Sequence, residues 1–72
     1  MKLKKEIIER IRNNGEAKDA LRLALRKHDP QLISRIVRMN REDGPLMNLR
    51  ALIALQEVLR IEDINDMIEK TS

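Results

Sequence analysis

Seventy-two residues make one small domain, and the absence of cysteine removes disulfides and thiolate metal sites as supports for its core. Phe, Tyr and Trp are absent too, so no ring can stack on an unpaired base, which argues against the common modes of single-strand RNA recognition. The net charge of +3 conceals a polarity: residues 1–41 carry twelve Lys and Arg against five Asp and Glu, and residues 42–72 carry three against seven.

Apolar spacing reads as helix along most of the chain. Leu3, Ile7, Ile8 and Ile11 form one stripe, and Asn14-Gly15 is expected to stop that helix, with Gly in the left-handed conformation. Ala17, Ala20, Leu21, Ala24 and Leu25 form the next stripe, opposite Lys18, Asp19, Arg22 and Arg26. This second helix must end by His28, because Asp29 is a good N-cap and Pro30 suits a first helical position. The third helix, from Pro30 to about Asn40, is expected to bury Leu32, Ile33, Ile36 and Val37.

Arg41-Glu42-Asp43-Gly44-Pro45 is the clearest loop. A fourth helix follows, from about Leu46 or Asn48 to Arg60, and is apolar on most sides. Such a helix sits centrally or lies partly under a second subunit. A short fifth helix, Glu62 to Glu69, carries Ile64, Met67 and Ile68. The expected fold is therefore all-α: a compact bundle of five short helices in a single domain, 1–72. No run approaches the length of a membrane span, and no apolar signal stretch follows the basic start, Met1 to Lys5; a cytoplasmic protein is expected.

Equipment for catalysis is scarce, and no enzyme, metal or cofactor is expected. His28, the single histidine, falls in a tight inter-helix turn. Ser34 and Ser72 lack a Gly-rich elbow or a nearby base, and two glycines, Gly15 and Gly44, cannot build a phosphate loop. Glu62, Asp63, Asp66 and Glu69 lack the ligand alternation of a calcium loop and read as a solvated helix face. Lys2, Lys4 and Lys5 flank Leu3, Ile7 and Ile8, but without Trp or Phe as an anchor a membrane-surface role is disfavoured.

The third helix stands out. With its aliphatic residues turned inward, the opposite face carries Gln31, Ser34, Arg35, Arg38 and Arg41 at intervals of three and four. Arg can bond two acceptors on guanine, Gln can pair with adenine, and Ser reaches phosphate or base, so the set suits a major groove. The preceding helix, across a turn at Lys27-His28-Asp29, adds Lys18, Arg22, Arg26 and Lys27. Two plainer readings stand beside this one. An amphipathic helix needs some polar face, and the basic and acidic halves can neutralise each other in the fold or across a dimer.

The order of elements resembles the lambda-repressor-like helix-turn-helix fold of phage repressors and antitoxins. Leu32-Ile33-Ser34-Arg35-Ile36 looks like the start of that family's recognition helix. Pro45 to Ile61, with Leu49, Leu52, Leu59 and Ile61, looks like its long following helix, and Glu62 to Ile68 like its closing helix. The run Leu21 to Asp29, continued through Ile33 to Gly44, is similar to addiction-module antidote proteins. The chain departs from the helix-turn-helix pattern by one residue: with Ala24 in the small-residue position, the turn position falls on His28 where the family favours Gly. The resemblance implies a homodimeric transcriptional regulator reading a two-fold-symmetric stretch of double-stranded DNA, with a toxin as a possible protein partner.

The competing reading is a helical protein–protein interaction module: an adaptor, an anti-repressor, or an antitoxin that grips its partner without DNA. It draws on the apolar surplus of the fourth helix. Leu46, Met47, Leu52 and Leu55 are the residues expected at a dimer or partner interface.

Overall fold

Side-chain caps mark where the second, third and fourth helices begin. The structure, a computed structural model, describes residues 1–69; Ser72 and the rest of the tail lie outside the described residues. Among the described residues there are four α-helices, α1 (Lys5–Arg12), α2 (Gly15–Ala24), α3 (Pro30–Met39) and α4 (Leu49–Leu59). The Asn14 side chain accepts the N–H groups of Glu16 and Ala17 at the start of α2. Asp29 accepts from Gln31 at 2.9 Å ahead of α3, and Asn48 accepts from Arg50 at 2.8 Å ahead of α4. Each bond satisfies a donor that the first helical turn leaves unpaired.

Gly15 therefore has a different task from the one its sequence context suggests. It is the first residue of α2, directly after the Asn14 cap, and α1 closes on Asn13 with φ −97°. Left-handed helix ends occur instead at Asn40 (φ 41°, ψ 54°) and Arg60 (φ 56°, ψ 48°). The C-terminus of α4 receives further help from α1: the Arg10 guanidinium donates to the Leu59 carbonyl oxygen at 2.9 Å. A cation there also complements the negative end of the helix dipole.

The last segment is the main departure from the sequence expectation. Glu62 to Glu69 is not a fifth helix. Asp63 caps a 3₁₀ turn, Ile64–Met67, and the chain then runs as a two-residue strand. With β1 at Lys2–Leu3 and β2 at Ile68–Glu69, the two strands pair antiparallel, Lys2 opposite Glu69 and Leu3 opposite Ile68. The Lys4 N–H extends the pairing by donating to the Met67 carbonyl at 2.9 Å. Leu3 thus belongs to a strand and not to the first helix. A single helical turn from Ile64 would have few internal bonds for its ordering cost, whereas the ribbon gives both ends of the chain backbone partners and buries Leu3, Met67 and Ile68.

Pro45–Met47 forms a separate 3₁₀ turn, so α4 starts at Leu49 and not at Leu46. The turn before it needs Gly44. Its N–H donates to the Arg41 carbonyl at 3.1 Å, and a Cβ at position 44 would lie 2.9 Å from the Arg41 Cβ.

The core is one aliphatic cluster. Ile11, Leu21, Val37 and Leu55 are fully enclosed, Ile33 and Leu46 nearly so, and Leu25, Ile36 and Val58 pack partly buried against them. The most extensive helix contact is between α2 and α4. These two helices carry all five alanines of the chain, Ala17, Ala20 and Ala24 on one and Ala51 and Ala54 on the other, and small side chains allow close approach. The Cα radius of gyration, 10.8 Å, matches the value of about 11 Å typical for a compact chain of this length. Among the described residues, no helix is long and apolar enough to cross a membrane.

Candidate nucleic-acid interface

Burial divides α3 into two sides. Ile33 and Val37 are enclosed and Leu32 and Ile36 half-buried, which turns Gln31, Ser34, Arg35 and Arg38 to solvent. From Gln31 to Arg38 this face rises about 10 Å along the helix axis, close to three base-pair steps. Arg41 follows just past the left-handed cap at Asn40 and is exposed as well.

The rest of the site comes from α1 and α2. An open groove of about 920 Å³ runs between the C-terminal end of α1, the start of α2 and the polar side of α3. Gln31, Ser34, Arg35 and Arg38 form its α3 wall, above Pro30 and Val37, and Lys18 lines it from α2. The opposite wall holds Glu9, Arg12 and Asn13. Sequence reasoning missed these three. Arg12 occupies the last turn of α1, but nothing local reveals that this turn packs beside α3.

Among the described residues, four cations, Arg12, Lys18, Arg35 and Arg38, thus line one groove against a single carboxylate, Glu9. Among the described residues, Arg35, Arg38 and Arg41 form no ion pair with the acidic half of the chain. Glu42 and Asp43 instead hold the N-terminal ammonium, at 3.6 and 2.9 Å. Asp63 is occupied in capping the 3₁₀ turn. Mutual neutralisation of the two halves within the fold is therefore not what this face displays.

The other sequence candidates are placed differently. Arg22 lies one helical turn beyond Lys18, half-buried, and pairs with Asp19 at 3.6 Å. Arg26 and Lys27 are exposed in the connection between α2 and α3, as is His28, and none of them lines the groove. That connection runs over residues 25–29 and is longer than the expected three-residue turn, with Arg26 left-handed at φ 55°.

The expected interface on the fourth helix is corrected by burial. Leu46, Leu52 and Leu55 are 2%, 6% and 0% exposed, so the chain's own core covers them, and Met47 is half-buried. The apolar residues of that helix left exposed are Leu49 and Ile53. Leu23 on α2 and Met39 on α3 are exposed also.

No protein-family model, curated protein or solved structure matches the chain. Fold and site together define a class: a small, mostly helical domain with an open basic groove along its third helix.

Proposed function

We propose that this chain is a small transcriptional regulator that binds duplex DNA, with α3 entering the major groove. One observation carries the reading. Arg35 and Arg38 are exposed, have no ion-pair partner among the described residues, and share a groove with Arg12 and Lys18. A helix about 10–12 Å across fits a major groove about 12 Å wide. In that pose Gln31, Ser34, Arg35 and Arg38 meet base edges, while Arg12 and Lys18 meet phosphates on the flanking strand. α2, the connection over residues 25–29 and α3 then serve as the helix-turn-helix that the sequence resembles.

The test is duplex binding, followed by fluorescence anisotropy of a labelled random-sequence DNA, of the parent and of Arg35→Ala/Arg38→Ala. Both side chains are exposed, so the helices remain folded, and the double variant loses binding. A variant that binds as tightly as the parent would show that α3 is not the reading element.

A second reading, a module that grips a protein partner, draws on Leu23, which is 76% exposed on α2. Salt separates the two. Binding held by phosphates weakens steeply as salt is added, and binding held by leucine does not.

A further inference from the structure

The outward side of α4 carries leucine and isoleucine where solvent would favour polar residues. The helix turns Ala51, Leu52, Leu55 and Leu59 into the core, and the opposite stripe leaves Leu49 64% and Ile53 41% exposed. These two are four residues apart and therefore adjacent on one face. Arg50 and Glu57 lie on either side of Ile53 along the helix; both are exposed, and neither has an ion-pair partner among the described residues.

We propose that this stripe binds a second copy of the chain, α4 against α4, antiparallel about a two-fold axis beside Ile53. The order of charges selects that occupant. Arg50 precedes Ile53 by three residues and Glu57 follows it by four, or about 4.5 and 6 Å along the axis. A two-fold that reverses the helix direction sets Arg50 opposite Glu57 of the second copy, and the same operation sets Glu57 opposite Arg50 of the second copy. Two ion pairs then bracket an apolar centre built from Ile53 of both copies, with Leu49 just outside each pair. A partner surface of one sign would satisfy only one of the two charges. This interface does not depend on the DNA reading, and it places self-association on residues other than the enclosed Leu46, Leu52 and Leu55.

The experiment is sedimentation equilibrium of the full chain across the micromolar range, with no nucleic acid present, so its outcome is separate from that of DNA binding. The parent approaches twice the 8.4 kDa monomer mass as concentration rises. Ile53→Asp remains monomeric. Arg50→Glu and Glu57→Arg each turn two attractions into repulsions and weaken association by on the order of tenfold. The doubly reversed Arg50→Glu/Glu57→Arg restores opposite charges across the axis and recovers the parent's dissociation constant. Because all three charge variants alter only exposed positions, they decide the matter even if Ile53→Asp folds poorly. A parent at 8.4 kDa throughout, or a double reversal no better than the single ones, overturns the proposal.

Discussion

Asn40 and Leu3 are joined as two strands would be: the Asn40 side-chain amide donates to the Leu3 carbonyl oxygen at 2.9 Å, and its Oδ1 accepts the Leu3 N–H at 3.2 Å. The same residue ends α3 in the left-handed conformation, so one asparagine closes the helix and completes the terminal ribbon on its open side. Two substitutions separate these tasks. Asn40→Gly keeps an easy left-handed backbone but loses both bonds, and should cost about 1–2 kcal/mol. Asn40→Ala loses the bonds and meets the left-handed penalty as well, and should cost about 2–3 kcal/mol. Urea unfolding checks the ranking; equal stability of both variants and the parent would remove the bridge from the account.

A second prediction concerns the core. Leu52→Ala should cost about 2–5 kcal/mol, because its side chain is 6% exposed and its loss leaves a cavity. Leu23→Ala, at 76% exposure, should stay within about 0.5 kcal/mol of the parent. Thermal or urea midpoints compare them. Similar losses for the two would mean that α2 and α4 are packed the other way round.

The N-terminal ammonium gives a pH dependence of known sign. Its hydrogen bond to Asp43, helped by the charges of Asp43 and Glu42, raises its pKa above the usual 8.0. A raised folded pKa means that the stabilisation is fully present below pH 8.0 and fades as pH rises through the higher folded value. Asp43→Asn removes the charge at a left-handed position that asparagine tolerates (φ 55°). The parent should therefore lose more stability than this variant on going from neutral to alkaline pH. Parallel pH profiles for the two would refute the ammonium's contribution.

Much of the basic helix was legible beforehand. Asp29 and Pro30 announce its start, and the three-and-four spacing of Leu32, Ile33, Ile36 and Val37 assigns its sides; both expectations agree with the observed helix and its burial. The final segment was not legible. Ile64, Met67 and Ile68 fit a helical stripe as well as they fit a turn and strand, and what decides is pairing with Lys2 and Leu3 at the far end of the chain. The Asn14-Gly15 pair carries two meanings, helix stop and helix cap, and only the bonds from Glu16 and Ala17 choose between them.

Arg12 was hidden for a related reason, since its place depends on how α1 crosses α3. Arg12→Ala should weaken duplex binding about equally for all sequences, and lower the magnitude of the salt slope by about 1, as expected for one lost phosphate contact. Titrations of two unrelated duplexes at several salt concentrations check this. Loss of discrimination between duplexes, with an unchanged slope, would instead place Arg12 at a base edge.

The most direct test of the basic groove is the slope of log Kd against log salt concentration for a random duplex. If Arg12 and Lys18 each neutralise one phosphate, the slope has a magnitude of about 2, and it falls close to zero in Arg12→Ala/Lys18→Ala. Binding that barely responds to salt, or a slope that the double substitution leaves unchanged, would contradict the assignment of this face to a polyanion.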